Sequence, residues 1–194
     1  MNLDEQRSRC LSCNSCKLCS TRKNVVYGVG CENSPILFVG EGPGEQEDIQ
    51  GIPFVGPAGK LLDDMLSIID IDRSNCYIAN IVKCRPPANR DPEESEIESC
   101  MPWLKEQINA ISPKIIVCLG RIAAGVLIHP NYRITKEHGK WEIKNGVYYT
   151  SIYHPSALLR DLSKRPETFR DLIEIRNKIA QICPNFYETG YMNE

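Results

Sequence analysis

Apolar positions along this chain fall into short dense runs separated by polar segments, and several of those segments carry a helical period of their own. The run Ile36-Leu37-Phe38-Val39, ending at Gly40, predicts a buried strand. Leu61, Leu62, Met65, Leu66 and Ile69 then recur at helical spacing from Ala58 onward. Residues 76–82 predict a second buried strand, broken by Arg85-Pro86-Pro87. Asp91-Pro92 opens a helical stretch toward Ile111, with Pro92 suited to its first turn and Pro102 predicting a kink or break inside it. Residues 114–119 predict a third strand, followed by Gly120 and a short helix over 122–128. Residues 141–143 and 147–153, joined through Lys144-Asn145-Gly146, predict a hairpin whose second strand enters the sheet. An amphipathic helix over 166–182 closes the pattern.

Strands alternating with helices imply an α/β fold, a three-layer α/β/α sandwich around a central, mostly parallel four-stranded sheet. Neither an internal repeat nor a low-complexity linker interrupts the 194 residues, so one domain spanning 1–194 is expected, with residues 1–34 as a cysteine-rich head. Ligands of such folds bind beyond the carboxyl ends of the strands. Three polar segments are expected there: 40–44, 80–90 and 154–160.

Composition narrows the class. The apolar share is ordinary for a folded protein, and the longest apolar runs are far too short to cross a bilayer. The first residues are charged, with no apolar stretch after them, which leads us to expect a cytoplasmic protein without a membrane partner. A net charge of −2 argues against non-specific coating of nucleic acid, but leaves room for a local basic face.

Ten cysteines change the picture more. A reducing compartment disfavours a disulfide framework, and Cys10, Cys13, Cys16 and Cys19 recur at every third residue. Cys13-x2-Cys16 is a chelating pair that turns two thiolates toward one centre. Two more ligands are needed, and the candidates are Cys10 and Cys19 within the head, or Cys84 and Cys100 beyond it. Cys76 and Cys118 lie within apolar strands and are expected to be core residues. The spacing departs from the bacterial ferredoxin run, whose last gap is three residues and is followed by proline; here Ser20 follows Cys19.

Three motifs then stand in order: Gly40-Glu41-Gly42-Pro43-Gly44-Glu45-Gln46-Glu47-Asp48 running on to Gly51-Ile52-Pro53-Phe54-Val55-Gly56; Asn80-Ile81-Val82-Lys83-Cys84-Arg85-Pro86-Pro87 with Asn89-Arg90; and His154-Pro155-Ser156-Ala157-Leu158-Leu159-Arg160. With four cysteines interleaved, this set resembles the uracil-DNA glycosylase superfamily, and closely its family 4 members, which bear a 4Fe–4S cluster. The resemblance extends from about Cys13 to Ile182. It implies excision of uracil from single- or double-stranded DNA by a monomeric, monofunctional glycosylase, leaving an abasic site for base excision repair. It also implies a structural 4Fe–4S cluster on Cys13, Cys16, Cys84 and Cys100, with Cys10 and Cys19 as spectators.

Chemistry accounts for the residue types that the resemblance singles out. A base must leave the duplex stack before it is cut. Phe54 offers a flat face for the flipped pyrimidine, and the Asn80 amide both donates and accepts, as O4 and N3–H of uracil require. His154 is expected to donate to O2 while charge develops on the leaving base. Gly40, Glu41 and Gly42 bring backbone close to the base, and Glu47 is implied to sit near C5, against the methyl of thymine. The more widespread Gly-Gln-Asp-Pro pattern positions water with its Asp; Gly42 holds that place here, leaving Glu41 or Asn89 as candidates to assist. Leu158, Leu159 and Arg160 resemble a wedge filling the gap left by the flipped nucleotide. Lys83, Arg85, Arg90, Arg160, Lys164 and Arg165 are expected at flanking phosphates. Some cluster-bearing relatives trap the sugar covalently through a histidine after the second motif, and residues 85–92 contain none.

The competing reading is a non-enzymatic α/β metalloprotein, either an iron–sulfur electron carrier or a zinc-stabilised nucleic-acid binder. It puts the metal within residues 10–19 and gives Asn80 and His154 no role.

Overall fold

A computed structural model describes residues 2–187; position 1 and positions 188–194 of the expected 1–194 domain lie outside the described residues. Helix α1 (Leu3–Leu11) leads through a 3-10 turn (Lys17–Ser20) to β1 (Val29–Gly30) and β2 (Ile36–Gly40). Next come α2 (Glu45–Gln50), α3 (Pro57–Ser67), β3 (Tyr77–Asn80), α4 (Glu94–Ile111), β4 (Ile115–Leu119), α5 (Arg121–Leu127) and α6 (Ile134–Glu137). The hairpin β5 (Glu142–Lys144) and β6 (Val147–Ile152), then α7 (Pro155–Arg160) and α8 (Arg165–Ile182), complete the order.

The sheet order is β1-β3-β2-β4-β6-β5. Its inner four strands are parallel, as the alternating pattern implies, and β1 and β5 pair antiparallel at the two edges. Six strands among the described residues therefore replace the expected four. The additions are two edge strands: β5, the first strand of the expected hairpin, which pairs onto the sheet through β6, and β1, whose two residues are too few to show a period in sequence. Asn145 and Gly146, both at positive φ, make the β5–β6 turn with the twist that two-residue hairpins favour.

Alternation along the strands builds both outer layers. Leu37, Val39, Ala79, Ile116 and Cys118 face a core shared with Leu3 and Cys10 of α1, Leu104 of α4 and Ala123 of α5. Ile36, Phe38, Ile78, Val117 and Ile152 face the opposite core with Leu62 of α3, Leu158 of α7 and Leu172 of α8. Cys76 and Cys118 are fully buried, as expected of core cysteines.

Pro102 does not break α4, which runs unbroken from Glu94 to Ile111. Proline removes the bond to the carbonyl of Glu98, but both residues are on the exposed face, where water can serve that carbonyl. Leu158, Leu159 and Arg160, expected in a wedging loop, instead end the short helix α7, which has Pro155 in its first turn and His154 as its cap. No helix among the described residues is long and apolar enough to cross a membrane.

Candidate active site

The chain crosses from β3, on one side of β2, to β4 on the other, so the carboxyl ends of β2 and β4 diverge at a topological switch point. A cleft of about 700 Å³ opens there. Glu41 and Gly42 follow β2, Asn80 ends β3, Gly120 follows β4, and Tyr153 and His154 follow β6; all line it together with Phe54 and Glu47. The three sequence motifs thus converge, although up to 113 residues separate Glu41 from His154 along the chain.

Gly40 has a specific reason to be glycine. A Cβ there would stand 2.4 Å from Asn80 Oδ1 and 2.6 Å from Phe54 Cζ. Its absence lets the amide and the ring meet at one point. Asn80 is 2 % exposed, and its Oδ1 has no hydrogen-bond partner among the described residues. Beyond the strands, Ile81 N–H donates to Gly40 O and Val82 N–H to Glu41 O, so the ladder continues under the site.

Phe54 is held at φ +54°, a left-handed conformation that costs a non-glycine residue about 1–3 kcal/mol. Three supports hold it there. Arg73 donates from one guanidinium nitrogen to Pro53 O at 2.9 Å and from the other to Phe54 O. Glu47 Oε1 accepts from Val55 N–H and Gly56 N–H, both at 2.9 Å. Gly59 lets α3 press on the Phe54 carbonyl, which a Cβ would overlap. Arg73 carries no motif in sequence, and nothing local marks it as a support for a residue 19 positions away.

His154 stacks obliquely near Phe54, with ring centroids 5.7 Å apart. Its Nδ1 accepts from Ser156 N–H at 3.1 Å, which leaves the proton of the neutral ring on Nε2. Burial, with the nearby charge of Arg160, pushes the imidazole down to about 4, so the ring is neutral at physiological pH. Burial and Asp91 push the Glu41 carboxyl up to about 7, against the opposing pull of Arg121 and Arg160. Asn89, at φ +54°, has its Oδ1 taken by Arg85 Nε at 2.8 Å.

Several expected contacts are relocated. Leu158 is 2 % exposed and belongs to the core under α7, so it is not a wedge; Leu159, 43 % exposed, and Arg160 are the members of that trio on the surface. A helix turns successive side chains about 100° apart, which buries one leucine and frees the next. Lys83 is 1 % exposed and points inward, donating from Nζ to Asn80 O at 2.9 Å and to Gln107 Oε1, so it is unavailable to phosphate. Arg90 grips buried Glu96 through two bonds of 2.9 and 2.7 Å, and Arg85 lies 3.6 Å from Glu45.

On the far side of Asn80, Cys13, Cys16, Cys84 and Cys100 line one small cavity with Cys10 and Cys19. Three of the sulfurs already receive fixed N–H donors: Cys13 from Trp103 Nε1 at 3.3 Å, Cys84 from Arg22 at 3.3 Å, and Cys100 from Lys83 N–H at 3.2 Å. Such donors are what ligated thiolates require of their surroundings. Among the described residues no three His, Cys, Asp or Glu side chains are gathered as one metal ion requires. Several thiols around one cavity, with N–H donors to three of the sulfurs, are the chemistry that an iron–sulfur centre would draw on.

Comparison with known proteins agrees with this geometry. A sequence model of the uracil DNA glycosylase superfamily matches residues 27–176. The chain is 43 % identical over 190 residues to a type-4 uracil-DNA glycosylase of Archaeoglobus fulgidus, covering 94 % of each protein. It is 43 % identical over 199 residues to one of Sulfurisphaera tokodaii, covering 98 % of this chain and 90 % of that protein. With one of Thermotoga maritima it shares 44 % identity over 159 residues, 80 % of this chain and 82 % of the relative. The matched span takes in the ends of all four parallel strands and the residues gathered there, and the chain belongs to the uracil DNA glycosylase superfamily.

Proposed function

We propose that the chain hydrolyses the N-glycosidic bond of uracil in DNA, leaving an abasic site, as a monofunctional base-excision-repair enzyme. The observation that carries this reading is the buried, unpartnered Oδ1 of Asn80 beside the faces of Phe54 and His154. An acceptor hidden from water without a donor costs about 1–3 kcal/mol, and N3–H of a flipped uracil supplies that donor. The amide N–H₂ of Asn80 then reads O4, whereas cytosine offers an amino group and a bare N3 at those places.

Phe54 stacks on the base. His154, neutral and protonated on Nε2, donates to O2 as the glycosidic bond lengthens and negative charge collects on the leaving pyrimidine. The sugar becomes oxocarbenium-like and water attacks C1′. Glu41 is the better candidate to take the proton from that water, since its carboxyl titrates near neutrality. An amide has no such basicity, and Asn89 serves to orient the loop or the water. Glu47 rejects thymine by standing near C5, and Leu159 and Arg160 face the DNA.

A structural 4Fe–4S cluster on Cys13, Cys16, Cys84 and Cys100 is part of the proposal, supported by the shared cavity and the N–H donors to sulfur. When bound it ties the head to α4 and to the 84–90 loop; no step of the hydrolysis runs through it. The partner is uracil-containing DNA, single- or double-stranded, met by a monomer in the cytoplasm.

The test is an end-labelled oligonucleotide with one uracil, incubated with the protein and then treated with alkali. Cleavage at that position, absent with thymine or cytosine and reduced on the order of 10²–10³-fold in Asn80→Ala and His154→Ala, is expected. Intact oligonucleotide after incubation with cluster-loaded protein would overturn the reading.

A further inference from the structure

The active-site cleft continues into a second groove. Arg121 and Ile122 line both the cleft and an adjoining space of about 620 Å³ along α5. Its apolar wall comes from Ile97, Ile122, Val126 and Tyr132, its charge from Arg121 and Arg133, and no carboxylate among the described residues lines it. The size falls within the range of roughly 300–1,000 Å³ typical of small-ligand sites. Tyr132 is a rigid member, because its hydroxyl donates to Glu137 O at 2.6 Å and accepts from Ser151 Oγ at 2.8 Å.

Gly125 is the second, independent observation. It lies inside α5 with helical φ, where glycine weakens a helix relative to any ordinary residue. A Cβ built on it would meet nothing within 4 Å. Gly40 and Gly59 are demanded by neighbours, but neither backbone conformation nor packing among the described residues demands Gly125. The space that a side chain there would fill is the groove itself.

We propose that this groove is the track for the nucleotides next to the flipped uracil on one side of the same strand. Continuity with the cleft and charge complementarity identify the occupant. Arg121 and Arg133 hold phosphates, and a sugar or base face rests on the surface between Ile122 and Tyr132. Arg121 now pairs with Asp91 at 2.6 Å, but both are exposed, and such a pair is readily exchanged for a phosphate. The inference rests on the glycosylase reading, since its occupant is that enzyme's substrate beyond the reacting nucleotide.

The experiment compares Gly125→Leu and Arg133→Gln with the unaltered protein on single-stranded oligonucleotides. One set carries uracil in the middle of a long strand, and two further sets are truncated beside the uracil on the 5′ or the 3′ side. Gly125→Leu should fold normally, because leucine is the better helix former. It should raise KM on the long strand about tenfold, and this penalty should vanish on one truncated set only. Arg133→Gln should flatten the salt dependence of KM by about 0.7 in log–log slope. Unaltered constants on the long strand, or an equal penalty on all three sets, would overturn the groove. If the unaltered protein leaves every oligonucleotide intact, the glycosylase reading fails first, and the groove loses its occupant with it.

Discussion

At the scale of single residues, two of the ionisable groups lining the cleft are displaced from their ordinary values in directions that suit opposite tasks. His154 is pushed down to about 4 by burial and by Arg160, and Glu41 is pushed up to about 7 by burial and by Asp91. A neutral imidazole donates from Nε2 without needing a proton from solvent, whereas a carboxyl near neutrality is a base only above its own midpoint. The rate should therefore rise tenfold per pH unit below about 7 and level off above it, and Glu41→Gln should lower the plateau and abolish that limb. A pH profile of kcat/KM checks this; an unchanged limb in Glu41→Gln would assign the proton transfer elsewhere. The same displacements act on stability. Between about 4.5 and 7 the folded chain keeps a Glu41 proton that the unfolded chain releases, so this contribution falls as pH rises through that window. For His154, the unfolded chain gains its proton near 6.5 and the folded chain only near 4, so this contribution falls as pH drops between them.

At the scale of elements, the connection from α2 to α3 is the most heavily braced part of the site. Glu47 belongs to α2, yet its carboxylate accepts the N–H groups of Val55 and Gly56, directly after the left-handed Phe54. Beside the role proposed for it near C5 of the base, it thus holds the ring of Phe54 in place. The neighbouring Asp48 is 2 % exposed and accepts from Lys23 N–H at 2.9 Å, so α2 is also pinned to the head. An acidic turn in sequence is here two structural anchors. Glu47→Ala should weaken uracil excision as well as relax the rejection of thymine, because charged hydrogen bonds worth about 1.5–3 kcal/mol each are lost beside a strained residue. Glu47→Gln, which keeps an acceptor oxygen, should recover most of the uracil activity. Equal uracil kinetics in Glu47→Ala and the unaltered protein would remove the bracing role. Leu158 makes the same point in reverse: a residue expected to touch DNA is core, because Pro155–Arg160 coil into α7.

At the scale of the whole molecule, the thiol cavity and the base-reading cleft lie on either side of one short stretch of chain. Asn80 closes β3, Lys83 reaches back to its carbonyl while its own N–H meets Cys100 Sγ, and Cys84 comes next. Helix α4 carries Cys100 and also Glu96, which clamps Arg90 at the end of the same loop. On the proposed ligand set, Cys100→Ala should lose iron and the brown absorbance of a cluster and lower the melting temperature. It should also raise KM for DNA through the loosened 84–91 segment. Iron analysis and a thermal melt check this, and a variant with full iron content would contradict the ligand set. Cys10 and Cys19 line the same cavity, so the choice of four sulfurs among six comes from the resemblance to family 4 enzymes, not from position alone.

Periodicity by itself determined the parallel strands, the hairpin and the longer helices from α3 onward, because an apolar run or a 3.6-residue stripe reports directly which face of an element is buried. Local chemistry determined the three motifs and the cysteine-rich head for a similar reason: their residue types are set by the chemistry rather than by neighbours distant in the chain. Edge strand β1, with only two residues, and helix α1, with a weak apolar stripe, carry too little pattern to stand out. Tertiary structure alone decided what each face meets. The bracing of Phe54 by Arg73, the buried bond from Lys83 to Asn80, the burial of Leu158 and the open space over Gly125 all depend on elements brought together by the strand order. Spacing along a chain records the geometry of one element, and these contacts are made between elements that only the closed sheet brings into register.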